Sequence, residues 1–162
     1  MFSNPISQTL HEEHRATIAL VERLEGLIRR RQGAPNTDDP LTHELLRHLA
    51  GSLEVEMKRH FDFEEDHLFT YLESIGDRAI GAHLTEEHSM MRPLGERLVA
   101  LARAAESAGF DEASWSEFRG VGAEFVERML VHVQKEEMAL LPLIDDAIDH
   151  ETQVHLVETY AR

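Results

Sequence analysis

A chain of 162 residues with 42% hydrophobic composition is long enough for one domain with a real core. Thirty-one acidic against 16 basic residues give a formal net charge of −15, which argues against a nucleic-acid partner and against docking on anionic membranes. The absence of cysteine excludes disulfides, thiol catalysis and thiolate-held metal or iron–sulfur sites. The first residues, MFSNPISQTL, lack the basic start and apolar run of a signal peptide. No apolar run approaches the roughly 18–20 residues of a membrane span. The expectation is a soluble, cytoplasmic protein without a membrane partner.

Helical periodicity runs through nearly the whole chain. A first helix is predicted over about 7–31, with Thr9 and Glu12 as a capping box and Arg29, Arg30 and Arg31 placed favourably at its C-terminus. Gly33 to Asp39 reads as a loop. Asp39 is then an N-cap and Pro40 the first residue of a helix over about 40–74, which stops before Gly76. A third helix is predicted over about 80–108, ending at Gly109. Asp111 or Ser114 caps a fourth over about 112–147, disturbed at Pro142. A short fifth helix is predicted over about 151–160. Long helices joined by short loops predict an all-α fold, an up-down-up-down four-helix bundle in a single domain over 1–162.

The chain repeats itself. EEHRATIALVERLEGL (12–27) aligns with EEHSMMRPLGERLVAL (86–101). The second and fourth helices align through His60 with His132, Glu64 with Glu136, Glu65 with Glu137 and Leu68 with Leu140. Two related helical hairpins would therefore pack around a pseudo-twofold axis.

Each predicted helix has an apolar seam at three–four spacing, and each seam carries a histidine: His14, His60, His88 and His132. The second and fourth seams add Glu64 and Glu136 one turn further on, stacked on the same face. Burying an unpaired carboxylate costs several kcal/mol, and no lysine or arginine lies on these seams to pair with them. A metal centre built from these six side chains supplies the missing positive charge. The alternative is a polar core satisfied by its own hydrogen bonds.

Glu13-His14, HFDFEEDHLF (60–69), Glu87-His88 and HVQKEEMALLP (132–142) together make the chain resemble the hemerythrin-like, or HHE cation-binding, family. The resemblance covers about residues 7–148 and implies a four-helix bundle holding two iron ions. It implies His14 and His60 on one iron, His88 and His132 on the other, and Glu64 and Glu136 bridging them, with an oxo, hydroxo or water oxygen as a third bridge. Manganese and zinc accept a similar set of imidazole and carboxylate ligands. The oxygen-carrying members have a further histidine one turn before the third-helix ligand, where this chain has Leu84. The resulting centre is more symmetric and has more open positions.

The implied function is binding of a small ligand (O2, NO or peroxide) for sensing, storage or delivery. The alternatives are a di-iron enzyme that decomposes peroxide or reduces NO, and an iron-handling or iron-centre repair protein. Nothing in the sequence indicates a protein partner.

Among the remaining groups, His67 lies seven residues after His60 on the same predicted face, and Tyr71 one turn further. Both are candidates to hydrogen-bond around the centre, with packing as the alternative. Glu65 and Glu137 are expected to be solvated or to support the ligands. His11, His43, His48, His83, His150 and His155 are expected to face solvent. Leu68, Phe69, Leu140 and Leu141 are expected to wall the site.

Overall fold

The computed structural model describes residues 1–30 and 33–162, and these form five helices and no strand. Helix α1 (Pro5–Ile28) opens on a proline, whose missing N–H costs nothing at that position. It starts two residues earlier than the sequence predicts, and the segment leading into it is anchored from far along the chain. The backbone N–H groups of Ser3 and Asn4 donate to the Asp145 carboxylate at 3.1 and 2.9 Å. The capping box of Thr9 and Glu12 does not form; the Thr9 hydroxyl donates to the Pro5 carbonyl at 3.0 Å. Of the arginine run, Arg31 lies outside the described residues.

Helix α2 (residues 40–74) begins as expected, with Thr42 N–H donating to Asp39 at 3.1 Å and Pro40 in its first turn. Gly76, at φ +100°, follows its end. Helix α3 (Ala79–Ala108) stops at Gly109, at φ +75°. Both angles lie where a side chain would be strained. Helix α4 (residues 112–147) is capped by Asp111, which accepts from Ser114 N–H at 2.7 Å, while Ser114 Oγ accepts from Asp111 N–H at 3.0 Å. Asp149 caps α5 (His150–Tyr160) through Thr152 N–H at 2.9 Å.

Three π turns interrupt the α-helical hydrogen bonding: Leu49–Leu53 and Glu64–Leu68 in α2, and Glu136–Leu140 in α4. The last two occupy equivalent places in the repeat. Their closing bonds run from Phe69 N–H to the Glu64 carbonyl and from Leu141 N–H to the Glu136 carbonyl. Buried residues His132, Glu136, Leu140 and Ile144 are spaced four apart, as are Glu64, Leu68 and Leu72. On an α-helix each four-residue step overshoots a full turn by about 40°. The extra residue of a π turn absorbs that drift and keeps the series on one face. Pro142 sits in the first turn after the π turn of α4 and does not end the helix.

This register shift corrects the predicted seams below the glutamates. His67, expected on the core face, is exposed, as is Ala139 at the equivalent place in the repeat, and Leu68 and Leu140 take the buried positions. Tyr71 is half-buried and packs against apolar neighbours.

Helix α1 packs on α4 and α2, α3 packs on α2 and α4, and α5 lies on α1. The apolar core has two parts. One gathers Leu24, Leu46, Met57, Leu98, Phe118, Phe125 and Met129; the other gathers Ile6, Leu10, Leu68, Leu72, Leu84, Leu140 and Ile144. Each fully buried side chain of this kind contributes about 1.5–3 kcal/mol of transfer free energy. Along α1 to α4, His14, Glu64, His88 and Glu136 fall between the two parts. A polar layer therefore crosses the middle of the core. Among the described residues no helix is long and apolar enough to cross a membrane.

Candidate metal centre

Six side chains converge in this layer. His14, His88 and His132 are at most 2% exposed and His60 is 14% exposed; Glu64 and Glu136 are fully buried. Their inward atoms form two groups, His14–His60–Glu64–Glu136 and Glu64–His88–His132–Glu136, each with its atoms within 4.8 Å of one another. The two glutamates belong to both. His14 Nε2 and His132 Nε2 lie 2.6 Å from Glu136 oxygens. His60 Nε2 and His88 Nε2 lie 3.1 Å from the two oxygens of Glu64. The His88 and His132 Nε2 atoms are 3.2 Å apart.

The outward nitrogens explain why the inner ones face the layer. His60 Nδ1 lies 2.8 Å from Glu13, His14 Nδ1 2.6 Å from Glu137 and His132 Nδ1 2.9 Å from Glu87. His88 Nδ1 lies 3.5 Å from Glu65, a looser contact, and its ring stacks on Phe61 with centroids 3.9 Å apart. A carboxylate at Nδ1 assigns the proton there and leaves the Nε2 lone pair pointing inward. The repeat appears again in these contacts. Glu13 and Glu87, each preceding a histidine, serve the other histidine of their own hairpin. Glu65 and Glu137 face the opposite hairpin.

Inward lone pairs on His14, His60 and His132, set with the His88 ring around two carboxylates, require positive charge between them. Both oxygens of Glu64 and of Glu136, and Nε2 of His14, are buried with no hydrogen bond of good geometry. Protons supply one answer. Burial opposes charge on His88, yet the Glu136 and Glu64 carboxylates outweigh it and push the imidazole up to about 9. His60 is raised well above its ordinary value against the same burial, by Glu64, Glu13 and Glu136. Burial would raise the Glu136 carboxyl, but the surrounding histidines hold it well below its usual range. Metal ions answer the whole layer at once. Donor atoms around a first-row metal with bonds near 2.1 Å sit about 3 Å apart in octahedral geometry, close to the spacings seen. The donor set of imidazole nitrogen and carboxylate oxygen suits iron, manganese or zinc.

The structure thus brings together all six residues predicted from the seams. It does not bring His67 or Tyr71 to them. The π turn rotates His67 outward, where its ring lies 5.7 Å from Phe63. His11 keeps 42% of its side chain exposed, and its Nδ1 also lies 2.8 Å from the Glu137 carboxylate that holds His14. His43, His83, His150 and His155 are exposed. Leu68, Phe69, Leu140 and Leu141 are buried directly below the layer.

Sequence reasoning gave Glu13 and Glu87 no role, although the repeat aligned them. Tyr160 was missed altogether. Its hydroxyl donates to the Glu13 oxygen that also meets His60 Nδ1. Burial and that carboxylate push the phenol well above its ordinary range, so it remains a donor. Nothing in the repeat marks Tyr160, because α5 has no counterpart in the other hairpin.

A cavity of about 330 Å3 reaches the layer from one side. His14, His60, His132 and Glu136 lie on its wall, with Leu20, Val21, Leu53, Met57, Phe125 and Met129 as its apolar lining. No curated protein matches the sequence. The family model for the hemerythrin HHE cation-binding domain matches residues 6–144, a span that contains all six converging side chains. The chain belongs to the hemerythrin HHE cation-binding domain family.

Proposed function

We propose that this protein is a non-haem di-iron protein, an up-down-up-down bundle of two repeated hairpins in one domain, that binds O2, NO or peroxide for sensing, storage or delivery. The observation that carries this reading is the pair of His2Glu2 groups sharing two fully buried glutamates. His14 and His60 would hold one iron, His88 and His132 the other, and Glu64 and Glu136 would bridge them. Bound iron would supply a redox-active site for a small ligand. The chain's own residues set its access. The cavity meets both histidines assigned to the first subsite, His14 and His60, but of the second subsite's only His132, so a ligand arriving through it meets the first subsite more fully. Its apolar lining favours a small, weakly hydrated ligand over a charged one.

Leu84, fully buried among apolar side chains where the oxygen carriers have a histidine, favours a second reading. Fewer protein donors leave room for peroxide or NO chemistry by an enzyme. Anaerobic reduction of iron-loaded protein, then separate challenges with O2, NO and peroxide watched by absorption, tests the proposal. A long-lived spectral change that reverses on removal of the ligand supports binding. Rapid oxidation with catalytic loss of added peroxide or NO would overturn it in favour of an enzyme.

A further inference from the structure

The four carboxylates that grip the histidines from outside are themselves held, and by different means. Lys135 bonds Glu87, Arg92 donates to Glu65 at 2.6 Å, and His11 meets Glu137 at 2.8 Å. All three partners are nitrogen groups within α1 to α4. Glu13 is instead held by the phenol of Tyr160, near the end of α5 and outside the residues matched by the family model. We propose that Tyr160 is a positioning residue for the His14–His60 metal subsite: its hydroxyl locks the Glu13 carboxylate onto His60 Nδ1.

Three observations support this. His60 is the most exposed of the four histidines, at 14% against 2% or less for the others, so packing orients it least. Glu13 is itself one-third exposed, and without a second anchor it is free to turn toward water. Tyr160, by contrast, is fixed. Its ring is 6% exposed and packs on Phe63 with centroids 4.5 Å apart. The Arg59 guanidinium lies 4.4 Å over the ring and donates to the Tyr160 carbonyl at 2.8 Å. A rigid hydroxyl loses little further entropy in making the bond. The phenol also lies on the wall of the cavity beside His60, so α5 helps to shape the subsite that a ligand would reach.

This inference rests on the two-metal reading, and one experiment separates the two. Metal-free wild-type protein, Tyr160→Phe and Glu13→Gln are titrated with Co2+ and followed by calorimetry and visible absorption. Wild type takes up two ions. Tyr160→Phe keeps the ring and its packing, so its circular dichroism matches wild type. One of its two binding steps weakens about tenfold, the scale of losing support to a metal-bound histidine, while the other is retained. Glu13→Gln leaves α5 intact and weakens the same step, even if Tyr160→Phe disturbs the fold. Adding Tyr160→Phe to Glu13→Gln weakens it no further, as expected of one hydrogen-bonded unit. Wild type with two ions and variants whose isotherms overlay it would overturn the role of Tyr160 alone. Wild type with no bound cobalt would overturn both readings.

Discussion

An imidazole that donates Nδ1–H to a carboxylate presents Nε2 as a lone pair, and here that arrangement recurs on His14, His60 and His132. The lone pairs face two carboxylates that have no other source of neutralisation except protons or cations. Removing one inner residue should therefore cost more than its own contact. His60→Ala or Glu136→Ala should remove at least one metal per chain, measured by elemental analysis after gel filtration. His67→Ala should leave metal content unchanged, because the π turn places that side chain outside the layer. All six inner residues were legible in the sequence because the four histidines fall on three–four seams and the two glutamates, one turn on, come no later than the first residue of their π turns. The outer carboxylates were harder to read. Glu65 and Glu137 follow Glu64 and Glu136 by one residue, about 100° around a helix, which suggested solvent as readily as support. In the fold that rotation carries them across to a histidine of the opposite hairpin.

At the scale of elements, the π turns and the long-range anchor of the N-terminal segment were not predicted. The four-residue spacing from His132 through Glu136 and Leu140 to Ile144 carries the signal of an extra residue, but three–four seams fit equally well until burial is known. No local pattern shows that Asp145 anchors the residues leading into α1, because the pair is 141 residues apart. Asp145→Ala should cost about 0.5–1.5 kcal/mol, as loss of such hydrogen bonds does, and free the Ser3 and Asn4 amides to exchange their protons. The Asp145 carboxyl resists some burial, but the Asn4 and Ser3 N–H groups hold it below its ordinary value of 3.8. A depressed carboxylate stabilises the fold above its unfolded pKa and loses that contribution as pH falls through the folded one. The stability gap between wild type and Asp145→Ala should therefore be full at pH 6 and close below pH ~3.8, as read by urea unfolding. Helices α2 and α3 meet at Gly81, where an added Cβ would lie 2.8 Å from Phe69 Cβ. That atom sits next to the backbone and cannot swing aside. Gly81→Ala should cost about 1–3 kcal/mol in the same assay.

At the scale of the whole molecule, a polar layer divides the apolar core into two parts and ties α1 through α4 together at one level. Metal bound there, and not to the unfolded chain, adds stability by mass action, about 2.7 kcal/mol at a free concentration a hundredfold above Kd. For a chain of this size, chelation should lower Tm by roughly 5–10 °C; an unchanged Tm would place no metal in the layer. Helical periodicity made the all-α fold readable, whereas α5 lies outside the repeat and its bond to the centre through Tyr160 and Glu13 could be seen only in three dimensions. On the proposed function, the two His2Glu2 groups hold two irons through shared glutamates. Anaerobic titration of metal-free protein with Fe2+, with iron counted per chain after desalting, tests this directly. Wild type should reach a plateau at two irons per chain. A plateau at one, or no retained iron, would contradict it.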